Sequence, residues 1–367
     1  MNISPTALAR FTARVIQGNR ALSGVPRISL SRQFAENFRL MRLNGLQPHE
    51  YYRYELCRPE ITWDQKTRYL SRDQAWLVHR TINHRFDHGV LQKMVFDRVM
   101  TSLKIPVPKH FGLYNSLCGY DSENGPLRTR EDFVRFLTTG SFAEFVLKAV
   151  SAEYGKGIRI CRKIGSGRVL SFGEGELSYS ELFDKIEATN LGLVVHSPDS
   201  WLIQERIIQH PFLDQYTRDC TQTARVVTYI TKSGKIQILM RLLKIARSGK
   251  HVDNVGATGM AAPFDDSGRL GKGARITPTG IVYYSHHPET NAPIEGEILP
   301  MHKEITALAL EAQSLLPSLR TVGWDIAITS DGPRLLEGNT FWSHVLQFAA
   351  GAGVLTDELF AEIHELA

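Results

Sequence analysis

Long apolar runs are absent. No stretch approaches the ~20 residues that a bilayer-spanning helix needs, so no such helix is expected. Cysteine is scarce: Cys57, Cys118, Cys161 and Cys220 are widely spaced, with no Cys-x-x-Cys pair. That usage speaks against a disulfide framework or a structural zinc site and fits a reducing cytoplasm. No short apolar block with a small-residue cleavage site stands near the start, so no secretory signal is expected. The common nucleotide fingerprints, Gly-x-x-x-x-Gly-Lys-Ser/Thr and Gly-x-Gly-x-x-Gly, are missing too, as are internal repeats and low-complexity tracts.

What is present is an ordinary globular composition, 43% hydrophobic and 22% charged over 367 residues. That length is enough for two or three subdomains. The net charge of +5 is unevenly spread. Up to residue 110 there are 18 Lys/Arg against 8 Asp/Glu; the remainder has 25 against 30. A basic front suits anionic partners, but no nucleic-acid motif accompanies it, and most of these charges read as a solvated helical surface. In the Arg-rich first 45 residues, Ala7, Leu8, Phe11, Val15 and Ile16 fall on one helical stripe. Packing of that stripe on the protein itself is expected, with a transit peptide or a peripheral membrane contact as the alternatives.

Residues 1–88 read as a helical region. Helices are expected over Ser71–Arg85 and His88–Leu103, the second ended by Ile105-Pro-Val-Pro. The texture then changes to short strands: Glu144–Val150, Arg159–Ile164, Arg168–Phe172, Trp201–Ile207, Ala224–Thr231 and Ile236–Ala246. Helices are expected at Ser178–Ala188 and Pro300–Leu315, loops and edge strands over 249–300, and strands at Thr321–Thr329 and Arg334–Glu337.

Four constellations carry chemistry. In the run Phe145-Val-Leu-Lys-Ala-Val-Ser-Ala-Glu-Tyr-Gly-Lys-Gly, an apolar strand ends in Lys148 and a small-residue loop, Ser151 to Gly157 with Gly155 inside it. A buried ammonium needs a counter-charge, which phosphate oxygens supply, and glycines let backbone N–H groups approach them. A plain hairpin with a lysine at its edge is the bland alternative. Second, Trp201-Leu-Ile-Gln-Glu-Arg-Ile is a strand ending in Gln204-Glu205, able to offer backbone to a base and a carboxylate to a ribose. Third, Asp325 in Gly-Trp-Asp-Ile-Ala-Ile and Glu337 in Leu-Leu-Glu-Gly-Asn339 lie within apolar runs. Two carboxylates and an amide on adjoining strands make an oxygen-rich corner suited to Mg²⁺; turn caps or arginine pairs are the alternative. Fourth, Arg225, Arg241, Lys244 and Arg247 lie between these, and strand alternation keeps Arg241 and Lys244 off a common face.

In their order, from about Leu91 to Leu346, these motifs resemble the ATP-grasp superfamily. The likeness is to the sugar-transfer-associated members in particular, through Gly323-Trp-Asp-Ile-Ala-Ile-Thr-x-Asp-Gly-Pro followed by Leu335-Leu-Glu-Gly-Asn339, and through Lys93 ahead of Ile105-Pro-Val-Pro. The resemblance implies an α+β fold, with ATP held between two α+β halves behind a basic helical front. It implies subdomains over 89–205 and 206–367. Lys93 and Lys148 would contact phosphates, with Ser151, Gly155 and Gly157 closing over them; Gln204, Glu205 and Ile207 would hold the nucleoside. Asp325, Glu337 and Asn339 would hold one or two Mg²⁺ ions, or Mn²⁺ in their place, and Arg225 and Lys244 would serve the reaction. It implies a ligase that activates a small carboxylate as an acyl phosphate and delivers it to an amine, the product being an amide or peptide bond on an amino acid, sugar nucleotide, glycan or biosynthetic intermediate. A kinase on the same scaffold, or an ATP-binding protein without turnover, are the rivals. His286, His287 and Glu289 read as weaker candidates for orienting the amine. No nucleic acid is expected as partner; a homodimer is, and the basic front, with no counterpart required by the resemblance, reads as a cap or partner surface whose first 40 residues nucleotide binding can spare.

Overall fold

The computed structural model of the chain describes residues 4–83, 87–152, 157–190, 200–218, 220–247, 259–277 and 280–366. The front of the chain forms α1 Pro5–Ala21, α2 Leu30–Asn44, α3 Pro48–Arg53, α4 Trp63–Thr67 and α5 Arg72–Leu77. Ser4, Ser29, Thr62 and Ser71 each accept a backbone N–H at the start of their helix, taking up donors that a helix end leaves orphaned. The helix expected over Ser71–Arg85 is therefore real at its start but short, passing into a wider turn at Val78–Ile82.

Two antiparallel sheets follow. The first contains β1 His110–Tyr114, β2 Tyr120–Asp121, β3 Glu144–Ala149, β4 Ile158–Gly165, β5 Arg168–Ser171, β6 Gly175–Ser178 and β7 Trp201–Glu205, in the order β2-β1-β7-β3-β4-β5-β6. Three helices are interleaved with these strands: α6 Lys93–Ser102 before β1, α7 Arg130–Thr139 before β3, and α8 Tyr179–Asn190 after β6. Phe133, Phe136 and Leu137 of α7 and Leu182, Phe183 and Ile186 of α8 bury one face of the sheet against Phe145, Leu147 and Ile203. On the other face Leu113, Val150 and Leu202 meet Met94 of α6.

After the short α9, Pro211–Asp214, the second sheet contains β8 Thr223–Ile230, β9 Ile236–Ile245, β10 Met260–Pro263, β11 Gly273–Thr277, β12 Gly280–Tyr284, β13 Thr321–Thr329 and β14 Gly332–Asn339, in the order β12-β11-β10-β9-β8-β13-β14. Helix α10, His302–Ser314, precedes β13; α11 Gln347–Ala350 and α12 Asp357–Leu366 close the chain. Strand alternation gives this sheet two buried faces. Val226, Leu243, Trp324 and Ile326 point to α10, packing with Ile305, Leu308 and Ala312. Val227, Tyr229, Leu242 and Ala274 point the other way and share one core with Val15, Leu40, Tyr51 and Leu70 of the front region and with Phe348, Leu359 and Ile363.

That shared core revises one expectation. The stripe on α1 packs on the protein in its later part, with Val15 fully buried and Phe11 edge-on to Phe34 and Phe38, whereas Ala7 and Leu8 are exposed. The front helices, however, are the cover of the second sheet, not a detachable cap. Ile281 N–H donates to Glu55 at 2.8 Å, Asn83 exchanges hydrogen bonds with the backbone of Thr321, and the Gln347 amide brackets Leu70 N–H and C=O at 3.0 and 2.8 Å. Loss of the first 40 residues would take Val15 and Leu40 out of this shared core. No helix of the described residues is long and apolar enough to cross a membrane, and none of the four cysteines forms a disulfide.

Candidate active site

The register of the second sheet assembles a charged corner on the face that carries Val227 and Leu242. Asp325 of β13 lies opposite Arg225 of β8 on one side and opposite Glu337 of β14 on the other; Gly323 lies opposite Asn339, and Lys244 of β9 opposite Thr223. Opposed residues in antiparallel strands share a face, so all five polar side chains converge. The Arg225 guanidinium grips Asp325 with both prongs, Nε to Oδ1 at 2.5 Å and Nη2 to Oδ2 at 2.8 Å, and its Nη1 donates to the Trp342 carbonyl at 3.2 Å. Lys244 Nζ reaches Asp325 Oδ2 at 3.2 Å, and the Asn339 amide donates to Glu337 Oε1 at 3.2 Å. Glycine at 323 is a steric necessity: a Cβ there would stand 2.5 Å from Trp342 Cβ and 3.3 Å from Arg225 Cδ.

The two carboxylates are driven apart in acidity. Burial opposes ionisation of Asp325, yet Arg225 and Lys244 hold its carboxyl well below the usual range. Burial, and then the neighbouring Asp325 charge, push Glu337 up. A hard divalent cation is the group that such a corner accommodates: Glu337 and Asn339 offer oxygens, and a cation beside Glu337 relieves the repulsion that raises its pKa. Asp325 has both oxygens engaged by Arg225 and Lys244, so it enters such a site as the neighbour already neutralised by two cations. Among the described residues no cluster of three or more His, Cys, Asp or Glu side chains is arranged for a metal. The carboxylate of Glu337 and the amide oxygen of Asn339 are donors of the kind Mg²⁺ takes alongside phosphate and water.

The lysines come from the other half. The helix expected over His88–Leu103 is broken at Gln92, whose side chain accepts the N–H groups of Met94 and Val95 and starts α6 at residue 93. Lys93 thus projects from a helix start, donating to the carbonyl of Ala152 and, at 3.5 Å, to that of Val150. Lys148, half-buried on β3 between Leu202 and Ile158, has no hydrogen-bond or ion-pair partner among the described residues. Desolvation lowers its pKa; Glu337 of the second sheet and Asp97 of α6 pull it back up, and Lys93 lowers it further. Lys148 of the first sheet is therefore within electrostatic reach of the carboxylate Glu337 of the second. Gly157 turns with φ +67°, and a Cβ there would come within 2.7 Å of Ala149 Cβ. Ser151 is exposed just beyond β3, whereas Gly155 lies outside the described residues.

At the end of β7, Gln204 is buried and donates to Asp97 Oδ1 at 2.5 Å; Glu205 is exposed, and its carboxylate accepts the Lys109 N–H at 3.1 Å; Ile207 is buried next to it. Asp97 and His110 escaped the sequence reading. The His110 Nδ1 stands 2.9 Å from Asp97 Oδ2 beneath this strand. The available signal was a lone acid among Val95, Phe96, Val99 and Met100 at helical spacing. Other basic candidates are committed elsewhere. Arg241 pairs with Asp266 at 2.6 Å on the opposite face from Lys244, and Arg247 pairs with Glu289. His287 is buried, with Nε2 3.1 Å from the Ala246 carbonyl and Nδ1 accepting the Thr290 N–H, so it organises a loop instead of facing the corner.

Carboxylate corner, opposed lysines and the two-sheet frame all lie within residues 76–361, which match the model of a family described as sugar-transfer associated ATP-grasp. The chain belongs to that family. It has the ATP-grasp fold, preceded by a helical region. Solved structures with which it shares similarity include N5-carboxyaminoimidazole ribonucleotide synthetase in complex with ADP (12% identity, 70% of this chain and 50% of that one, TM-score 0.36). Others are the biotin carboxylase domain of 2-oxoglutarate carboxylase from Hydrogenobacter thermophilus (15%, 78% and 47%, 0.43) and D-alanine–D-alanine ligase from Helicobacter pylori (12%, 75% and 60%, 0.41). The chain spans about half the length of the first two of these. No curated protein sequence matches it.

Proposed function

We propose that this ATP-grasp protein is a carboxylate–amine ligase that works through an acyl phosphate, in the cytoplasm. The observation that carries the reading is the Lys148 ammonium on β3, which has no hydrogen-bond or ion-pair partner among the described residues and feels the charges of Glu337, Lys93 and Asp97. A desolvated cation without a protein counter-ion is suited to the phosphate oxygens of ATP. In this reading Lys93 ties the loop after β3 to α6, and Ser151, Gly155 and Gly157 belong to the flap that covers the phosphates. Gln204, Glu205 and the Ile207 backbone line the nucleoside. Glu337 and Asn339, with Asp325 beside them, hold Mg²⁺, which supplies charge neutralisation at the transferred phosphoryl group. Arg225 and Lys244 keep Asp325 ionised and present positive charge to the anionic intermediate.

The chemistry needs no protein nucleophile. A substrate carboxylate oxygen attacks the γ-phosphorus, the bond to ADP breaks, and an amine then displaces phosphate from the mixed anhydride to give the amide. Positioning and charge stabilisation are the protein's share, and exclusion of water protects the anhydride. The amide would be made on a small biosynthetic intermediate, a sugar nucleotide or a glycan; the front helices offer a surface for a second copy or for anionic lipid.

The deciding measurement is ADP release from MgATP with pooled carboxylates and amino acids, with and without hydroxylamine. Hydroxamate that depends on one carboxylate supports the ligase. ADP formed with no hydroxamate overturns it in favour of phosphoryl transfer to a hydroxyl.

A further inference from the structure

The front helices carry two arginines, Arg53 and Arg72, whose charges are felt at His344, just after the strand that carries Glu337 and Asn339. Strand β14 ends at Asn339, and residues 340–343 lead directly to His344, five residues on. Even fully extended, five residues span at most about 18 Å, so His344 lies within one medium-sized substrate of the corner. Three separate segments are stapled together around it. The Gln347 amide brackets Leu70, and Glu50 Oε1 accepts the Arg72 N–H at 2.7 Å, so the start of α5, the first turn of α3, three residues before Arg53, and the residue that follows the His344–Leu346 turn are held together. Arg53 closes α3 and Arg72 opens α5; both are exposed, and neither guanidinium has a hydrogen-bond or ion-pair partner among the described residues.

The acids nearby do not neutralise them. Glu50 is buried, with its oxygens taken by the Gln47 and Arg72 backbone N–H groups; Asp73 follows Arg72 in sequence, and among the described residues the two form no ion pair. The result is felt at His344, whose imidazole is held down to about 4 by burial and then by Arg53 and Arg72. His49, next to Glu50, is lowered by burial, with Arg53, Arg14 and Arg72 adding to the effect against Glu50. Between cluster and corner the chain exposes Phe341, edge-on to the exposed Trp76 at 5.6 Å.

We propose that Arg53, Arg72 and His344 form an anion-binding subsite for the non-nucleotide substrate, so that this substrate carries a carboxylate or phosphate in addition to its reacting carboxylate. The inference rests on the ligase reading above and extends it to substrate class. Arginine favours both anions because its planar fork matches their oxygens. Without an anion, burial and then the two arginines oppose protonation of His344; with one bound, all three groups share a counter-charge. The basic character of the front region then has a use that its covering of the sheet does not require.

The test follows the His344 ring by NMR in the full chain loaded with MgADP, its signal assigned with H344Q, while inorganic phosphate or glutarate is added against a chloride control. Either probe should shift the signal saturably and raise the pH at which the ring protonates. R53Q/R72Q should weaken that response by about tenfold or more while MgADP affinity holds. K148M should keep the response, which excludes phosphate bound in the γ-position. Phosphate alone acting assigns a phosphate-bearing substrate, glutarate alone a dicarboxylic one. No saturable shift with either probe, an unchanged response in R53Q/R72Q, or its loss in K148M would each overturn the proposal. Failure of MgADP itself to bind would count against the ligase reading instead, and the same titrations on the ligand-free chain would then decide the subsite by the same criteria.

Discussion

Two clusters of buried charge in this molecule look alike in composition and differ in how they are completed. In the front helices, the Glu36 carboxylate takes Lys66 Nζ at 2.7 Å, the Tyr51 hydroxyl at 2.7 Å and Arg32 Nε at 3.0 Å. Every strong group there has its partner, and Lys66 is fully buried. In the second sheet, Asp325 is just as fully paired, but Glu337 beside it has only the Asn339 amide and Asp325 itself as side-chain partners, and Lys148 of the first sheet has no partner among the described residues. The first cluster is closed upon itself and welds α2, α3 and α4. The second leaves one acid, Glu337, without a cationic partner and one base, Lys148, without an anionic one among the described residues.

The difference is sharpest for two lysines. Lys148→Met should reduce MgATP turnover by about a hundred- to a thousandfold, the scale of losing one preorganised charge. Because that ammonium is desolvated and unpaired, the ligand-free variant should melt no lower than the parent. Full turnover, or a large drop in melting temperature, would show that Lys148 is structural. Lys66→Met should do the reverse. It leaves Glu36 buried without its ammonium, at a cost of about 3–5 kcal/mol in chemical denaturation, while activity per folded molecule stays at the parent level. Asp325→Asn breaks the comparison from its other side, since it strands both Arg225 and Lys244. A loss of about 3–5 kcal/mol together with lost turnover is expected, and stability without activity would limit Asp325 to chemistry.

The open corner should also show in pH dependence. Glu337 is raised in the folded chain by burial and by Asp325. The folded state therefore holds that proton more tightly than the unfolded one. The associated stability is present below the ordinary carboxylate value of 4.5 and is lost as pH rises through the raised one. Asp325, depressed, has the opposite sign: its contribution is present above 3.8 and lost as pH falls through its lowered value. Glu337→Gln should flatten the decline on the rising-pH side. A parent profile already flat there would mean that the acid is not held in the corner as described.

Much of this was legible in the sequence, and the failures have physical causes. Strand β13 was readable to the residue, since a short apolar run from Thr321 to Thr329 ends in the turn Ser330-Asp-Gly; β3, β8 and β9 were readable to within a residue or two because each is likewise a short apolar run. Asp325 and Glu337 stood out because a carboxylate inside an apolar run has to be compensated. What sequence could not give was the compensation itself. Arg225 pairs with Asp325 across 100 residues, through register alone. The break at Gln92 was hidden because its capping amide competes locally with helix continuation, and no periodicity records that. The role of the front helices was missed because a basic surface says nothing of the apolar face beneath it: Val15, Leu40 and Tyr51 needed the second sheet to define their partner.

The smallest expected effect divides the closed cluster within itself. Glu36 has two cationic partners at similar distance, Lys66 at 2.7 Å and Arg32 at 3.0 Å. Distance alone would make them comparable. Solvent does not: the Arg32 side chain is 59% exposed, one turn along the same helix, whereas that of Lys66 is at 0%. Water screens the Arg32 pair and solvates its guanidinium when the partner is lost, so Arg32→Gln should cost no more than about 0.5 kcal/mol and should fade further with added salt. The Lys66 pair has no such recourse, and its removal should stay expensive at every salt concentration. Equal losses for the two variants, or a salt-sensitive loss for Lys66→Met, would mean that water reaches Glu36 and that the front cluster is as open as the corner in the sheet.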